Sequence, residues 1–308
     1  MKEFDIIEKL KPLALGKPEA AGFANDAACL NVPEGYELVV TSDCATMGVH
    51  FLADQPPGTI AQKALRRNIS DLNAMGAKPY CYQMCLLLPK ADEAWLDGFI
   101  VGLMDDQKRY GLFLSGGDVS STPGPLSIVI IAFGLVEKGR AYTRSGAKAG
   151  DLIGVTGAVG DAVCGLKALR EGIEAPDLSA AYMTPDVRLY DALPVRAVID
   201  ISDGLVQDLG HICKQSGVSA KLRWEDIPLS SGVQGWLTAG HITPEDVLSG
   251  GDDYRLLMAV PPSAMMGFLG RDPAFRIIGE FQEGSAHVSV IKDGQDYPLK
   301  KTGWNHFE

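Results

Sequence analysis

Several familiar signatures are missing from this chain of 308 residues. It has no G-x-x-x-x-G-K-[ST] run, which excludes a P-loop for nucleotide phosphates, and no G-x-G-x-x-G opening a Rossmann unit. It also lacks a G-x-S-x-G nucleophile elbow and the H-R-D and D-F-G set of protein kinases. Its five histidines are dispersed without H-E-x-x-H spacing. The six cysteines, Cys29, Cys44, Cys81, Cys85, Cys164 and Cys213, never form a C-x-x-C pair. That leaves little support for a zinc or redox site, and they read as reduced thiols in apolar surroundings.

Positive charge is also scarce. Lys and Arg number 28 against 39 Asp and Glu, a formal net charge of −11. Phosphate backbones and anionic lipid need clustered Lys and Arg, so no nucleic acid and no membrane is expected as partner. The longest apolar stretch, Ser127 to Val136, is about half of what a helix needs to cross a bilayer. The opening MKEFDIIEKLKPLALGKPEA scatters charges among its apolar residues and lacks the apolar core of a signal peptide, so a short amphipathic helix and a cytoplasmic location are expected.

Hydrophobic residues make up 46% and charged residues 22%, an ordinary globular balance. At roughly 150 residues per domain the length predicts two. In the first half, strands near Glu37 to Ser42, Tyr82 to Leu88, Leu112 to Ser115 and Leu126 to Val136 alternate with helices over about Gly58 to Met75 and Glu93 to Arg109. In the first helix Ile60, Ala64, Leu65, Ile69 and Leu72 form one apolar stripe, with Asn68, Asp71 and Met75 on another face. The polar, glycine-rich EKGRAYTRSGAKAG sets a boundary near residue 140, giving domains 1–140 and 141–308. A second α/β set follows, with strands at Leu152 to Thr156, Arg196 to Asp200, Tyr254 to Val260 and Phe275 to Ile278, and a helix over Gly204 to Gln215. The fold class is mixed α+β.

The aspartates carry the chemistry. Asp26 lies in FANDAACL, Asp43 closes the apolar VVTSD, and Asp71 sits on a helix. Asp118 follows a strand in FLSGGD, and Asp200 and Asp203 fall in VIDISDG. Strand ends release side chains toward a shared cleft. Any one of these acids also fits a turn or a helix N-cap. Six together repel unless a hard cation with oxygen ligands bridges them, so several Mg²⁺ ions are expected. The paired glycines Gly116 and Gly117 before Asp118 suit either a tight turn or a close approach to a phosphate oxygen. A second S-G-G-D-D at Ser249 to Asp253 reads as a ligand loop or as a helix C-cap and turn.

Taken in order, NDAACL, TSDCATMGVHF, KALRRNISDLNAMGAKP, SGGD, TRSGAKAGD, DISDGLVQDLGHI, SGGDDYRLL and GWNHF resemble thiamine-monophosphate kinase of the aminoimidazole-ribonucleotide-synthetase-like superfamily, over nearly the whole chain. The resemblance implies an N-terminal α/β domain that binds ATP and metal and forms a homodimer. It also implies a C-terminal α/β domain that completes the nucleotide and substrate site. The reaction implied is transfer from ATP to thiamine phosphate, giving thiamine diphosphate. By position Asp26, Ser42, Asp43, Asp71, Asp118, Asp200 and Asp203 match the family's metal residues. Gly116, Gly117, Asp118, Arg144 and Ser202 match its nucleotide contacts, and His50, Asp252 and Trp304 its substrate residues. His50 also fits a strand edge packed beside Phe51, and Trp304 a seal for the tail.

The chain departs from the family pattern at Asn25 and Asp252, where an acid and a Glu are usual, and at Arg255, where Glu is usual. An acceptor phosphate, with a second pKa of about 6, is already anionic, so no catalytic general base is expected. Alternative readings are an aminoimidazole-ribonucleotide-synthetase-like enzyme and a catalytically impaired nucleotide-binding relative. The selenophosphate-synthetase cysteine and the hydrogenase-maturation C-terminal cysteine have no counterpart here.

Overall fold

The structure is a computed structural model and describes residues 1–268 and 272–305. The chain divides into two compact units, Met1–Ala141 and Tyr142–Glu308.

The first unit opens with helix α1 (Glu3–Leu10) and continues through β1 (Tyr36–Thr46), α2 (Pro57–Ala74), β2 (Lys78–Leu88), α3 (Glu93–Tyr110), β3 (Phe113–Ser121) and β4 (Ser127–Glu137). The strands form one sheet in the order β1-β4-β2-β3. The pairs β1 with β4 and β4 with β2 are antiparallel, and β2 with β3 is parallel. Strand β4 reads with period two: Ile128, Ile130 and Ala132 are buried, and Val129, Ile131 and Phe133 are half-buried on the other face. Helix α2 covers the buried side, and its stripe of Ile60, Ala64, Leu65, Ile69 and Leu72 is buried throughout, as the spacing predicts. Between α2 and α3, the buried Arg66 guanidinium donates to both oxygens of the buried Asp106 at 2.8 and 2.7 Å.

The S-G-G-D segment departs from expectation. It is not a turn but the middle of β3, where Gly116, Gly117 and Asp118 pair with Gln83, Met84 and Cys85 of β2. A register shift between Tyr82 and Gln83 brings the two backbones close together. At Gly117, with φ of +153°, a Cβ would lie 1.9 Å from the Met84 carbonyl oxygen. The glycine is there for strand-to-strand approach. Likewise Asp43 does not close its strand, since β1 runs on to Thr46.

The second unit contains β5 (Leu152–Val155), α4 (Asp161–Glu171), α5 (Pro176–Met183), β6 (Ala197–Asp200), α6 (Leu205–Ser216) and β7 (Ser219–Arg223). It continues with α7 (Ser231–Thr238), α8 (Pro244–Ser249), β8 (Leu256–Val260), β9 (Arg276–Gln282), β10 (Val288–Lys292) and β11 (Gln295–Asp296). Seven strands make a mixed sheet in the order β11-β10-β7-β9-β5-β8-β6. All five residues of β8 are buried, as an apolar run inside a covered sheet requires. Where α4 begins, both carboxylate oxygens of Asp253 accept the Gly160 N–H, at 3.1 and 2.9 Å. Asp253 is itself buried, and burial pushes its carboxyl up to about 7.

Gly117→Ala should cost roughly 3 kcal/mol or more, because the added methyl meets backbone that cannot step aside. Chemical denaturation of the variant measures this, and an unchanged midpoint would refute the close approach of β3 to β2. Asp253 provides a test of pH dependence. Its folded pKa lies above the unfolded value, so its stabilising share is present below about pH 4 and lost as pH rises through about 7. Asp253→Asn removes that loss, so the variant should gain stability relative to the parent between about pH 5 and pH 8. Thermal melts at both pH values decide it, and a constant difference would mean the carboxylate is already ionised in the fold at pH 5.

Candidate active site

In the second unit the aspartates of DISDG stand at the exit of the edge strand β6. Asp200 is its last residue and is buried beside Leu256 of β8. The chain then turns through Ile201 to Gly204 into α6. One carboxylate oxygen of Asp208, in the first turn of that helix, accepts the backbone N–H groups of Ser202, Asp203 and Gly204 at 3.0, 3.0 and 3.1 Å. Asp208 is buried, and burial raises its carboxyl to about 7 even though these donors favour the charged form.

A second loop, between α8 and β8, is laced onto this turn. Asp252 donates its backbone N–H to the Ser202 carbonyl at 2.9 Å, and Tyr254 donates to that of Ile201 at 2.8 Å. The loops meet main chain to main chain. A Cβ on Gly251 would lie 2.3 Å from the Ser202 oxygen, and one on Gly204, whose φ is +139°, would lie 2.9 Å from the Ser249 carbonyl. The expected C-cap is present at Gly250, but in extended rather than left-handed backbone. The Asp252 carboxylate accepts from the Tyr254 hydroxyl at 2.7 Å.

The C-terminal segment joins them. Trp304 donates its N–H to the Asp203 carbonyl at 2.9 Å; the residue is 47% exposed, with the Lys301 ammonium over its ring at 5.3 Å. Ser202, Asp203, Asp252 and Trp304, spread over about a hundred residues of sequence, are thus brought together. His306 and Phe307 of GWNHF lie outside the described residues. Exposed Arg144 lies close enough to α6 that, after desolvation, its charge is a cause holding His211 below its ordinary pKa. Arg255 is turned to structural use: its guanidinium donates to the carbonyls of Ala158 and Asp186 at 3.3 and 2.9 Å.

In the first unit the acids stand in two groups. Asp43 and Asp71 both lie where β1 passes α2. The Thr41 hydroxyl donates to Asp71 at 2.6 Å, and the Arg67 guanidinium lies 3.6 Å from Asp43. Ser42 alternates to the opposite, exposed face. His50 follows β1, and its Nδ1 accepts the Thr46 N–H at 3.0 Å, so that nitrogen carries no proton. At the opposite edge, on β3, Asp118 accepts from the Ser120 hydroxyl at 3.0 Å. There Asp118 lines a cavity of about 440 Å³ with Asn25, Asp26, Gly116 and Gly117. Three strand spacings, roughly 14 Å, separate β1 from β3.

Among the described residues no three His, Cys, Asp or Glu side chains stand close enough to hold one ion. Asp208 and Gln207 went unassigned at the sequence level. For Asp208 a signal existed, since it is an acid on the buried stripe of Leu205, Leu209 and Ile212.

Comparison with known proteins fits this architecture. Residues 24–136 match AIR synthase related protein, N-terminal domain, and residues 148–292 match AIR synthase related protein, C-terminal domain. Thiamine-monophosphate kinase from Caulobacter vibrioides is 39% identical over 324 residues, covering 99% of this chain and 90% of that protein. Its counterpart in Escherichia coli O157:H7 is 38% identical over 306 residues, covering 93% and 91%. The solved structure of AaThiL complexed with AMPPCP and TMP superposes with a TM-score of 0.78 at 29% identity, covering 99% of this chain and 97% of that one. With both domains matched and such identity over almost its full length, the chain belongs to the thiamine-monophosphate kinase family of AIR synthase related proteins.

Proposed function

We propose that this enzyme is a kinase that transfers the terminal phosphoryl group of ATP to thiamine phosphate, yielding thiamine diphosphate and ADP in one direct step. The observation that carries this reading is the 38 to 39% identity, across at least 93% of the chain, to thiamine-monophosphate kinases. The complex of a structural neighbour with AMPPCP and TMP supports the same pair of substrates.

Direct transfer asks the protein for positioning and charge neutralisation more than for proton transfer, because the attacking phosphate oxygen is already anionic. No residue is assigned as a general base. In the second unit Ser202 and Arg144 are nucleotide contacts, with Arg144 offering a cationic fork to the triphosphate. Asp252 and the exposed ring of Trp304 face the acceptor, where stacking on a cationic heteroaromatic ring contributes about 1 to 2 kcal/mol. His50 belongs to the same acceptor set. Gly116, Gly117 and Asp118 line the nucleotide side of the first unit.

Magnesium fits the donor groups. Asp26 with Asp118, and Asp43 with Asp71, are oxygen donors in ones and twos, with Ser42, Asp200 and Asp203 as further oxygens. Mg²⁺ characteristically takes one or two carboxylates and completes its shell with water and substrate phosphates, so the lack of a larger cluster is no obstacle. Bound there, it would neutralise the charge of two apposed anions.

A homodimer belongs to the proposal. The face of the first unit's sheet away from α2 carries exposed Val40, Ser42 and Cys44 beside half-buried Val129 and Ile131. Packing two such faces about a two-fold axis along the strands apposes β1 of one copy with β3 of the other. The first unit thus serves ATP, metal and dimerisation, and the second completes the site. A cytoplasmic location goes with ATP as co-substrate. Among the described residues no helix is long and apolar enough to cross a membrane.

An ADP-release assay tests the reading. Thiamine phosphate should drive turnover at least about 100-fold above unphosphorylated thiamine, since only the former presents an anionic nucleophile. Equal rates, or ADP release indifferent to acceptor, would overturn it. Asp71→Asn keeps the oxygen that accepts from Thr41, so melting should be nearly unchanged while turnover falls roughly 100-fold or more. Full activity at ordinary magnesium would remove Asp71 from the site.

A further inference from the structure

Gln207 stands in the first turn of α6 and touches both sides of the site just described. Its side-chain Nε2 donates to the Asp203 carboxylate at 3.2 Å and to the Trp304 carbonyl at 3.0 Å. Its backbone N–H donates to the Thr302 carbonyl at 3.0 Å, and Trp304 returns its own N–H to the Asp203 carbonyl at 2.9 Å. The orientation of the amide is fixed by its partners, since a carboxylate and a carbonyl both require a donor. Between them lies buried Gly303, where a Cβ would fall 2.5 Å from both the Cβ and the Oε1 of Gln207. The Gln207 side chain is thus one of the groups on which the C-terminal segment is seated, beside the backbone bonds of Thr302 and Trp304 and the Glu245 carboxylate that accepts from the Lys300 and Lys301 N–H groups.

We propose that Gln207 is a positioning residue that sets the distance between the Asp203 carboxylate and the Trp304 ring, making the metal side and the acceptor side of the site one rigid piece. This rests on the roles given above to Asp203 and Trp304. Only a long primary amide performs the task. Glu at this place donates nothing and repels Asp203, Asn is one methylene too short to span both acceptors, and Ala leaves the Trp304 carbonyl to water. Gln207 is half-exposed and outside the apolar stripe of α6, so its replacement leaves the packing of that helix in place.

The test is steady-state kinetics of Gln207→Ala and Gln207→Glu in the full chain, together with hydrogen exchange at the Trp304 amide. The KM for thiamine phosphate should rise about tenfold in the Ala variant and further in the Glu variant, while the KM for ATP moves far less and melting is nearly unchanged. Exchange at the Trp304 amide should quicken by about the same factor. An unchanged KM for thiamine phosphate, or one rising only in step with that of ATP, would overturn the proposal. If the parent enzyme turns over no thiamine phosphate, the reading of its function fails separately. Exchange still decides the clasp: quickening in the Ala variant supports it and an unaltered rate refutes it. Gly303→Ala, whose added methyl collides with the Gln207 Cβ and amide oxygen and so pushes the segment off that side chain, should reproduce the Gln207→Ala pattern, and parent-like kinetics there would count against it.

Discussion

The candidate site of the second unit hangs on one carboxylate. Asp208 gathers three consecutive backbone N–H groups, those of Ser202, Asp203 and Gly204, onto a single oxygen. Burying that group is costly, which its raised pKa of about 7 records, and three donors in a line offset much of the cost. The return is a turn with one conformation. Its carbonyls at Ile201, Ser202 and Asp203 are then fixed acceptors, and the chain segments holding Tyr254, Asp252 and Trp304 hydrogen-bond to those three in order. Residues separated widely in sequence acquire fixed spacing because each is tied to the same short stretch of main chain.

Charge sets the second constraint. A chain with a net charge of −11 that handles two anionic substrates cannot leave its acids facing one another. Within the structure four of these acids have a local partner: Asp71 a threonine hydroxyl, Asp43 an arginine, Asp118 a serine hydroxyl, Asp203 a glutamine amide. These contacts are modest and partly solvent-exposed, so each is exchangeable for a cation at small cost. An arrangement of pairs also suits an ion whose remaining ligands arrive with the substrate, whereas a preformed cage of acids would be strained without its metal.

The helices and most long strands were legible because their period is local. The stripe from Ile60 to Leu72 and the alternation of β4 need no knowledge of the rest of the chain. The six smaller elements β7, β10, β11, α5, α7 and α8 were not assigned, having too few residues to establish a period. Gly117 was not legible for a different reason. A tight turn, a phosphate loop and a close strand pair all demand the absence of a Cβ, and only pairing with β2, some thirty residues earlier, tells them apart. The identities of Ser202, Asp203, Asp252 and Trp304 were likewise readable, but the reason they meet was not. Their partners are main-chain carbonyls, which every residue type supplies alike.

The division of labour between side chain and backbone bears on how such a site changes. Exchanging Asp252 for Glu would alter the reach of one carboxylate. The loop that carries it stays pinned by its N–H to Ser202 and by the contact at Gly251, neither of which depends on that side chain. Arg255 is absorbed similarly, spending its donors on the carbonyls of Ala158 and Asp186. A scaffold fixed by main-chain bonds tolerates exchange of the groups it displays, so acceptor fit can drift while the turn beneath keeps its geometry. Substitution at Gly204 or Gly251 acts on the scaffold itself, because a methyl there collides with backbone and shifts every residue laced to the turn at once.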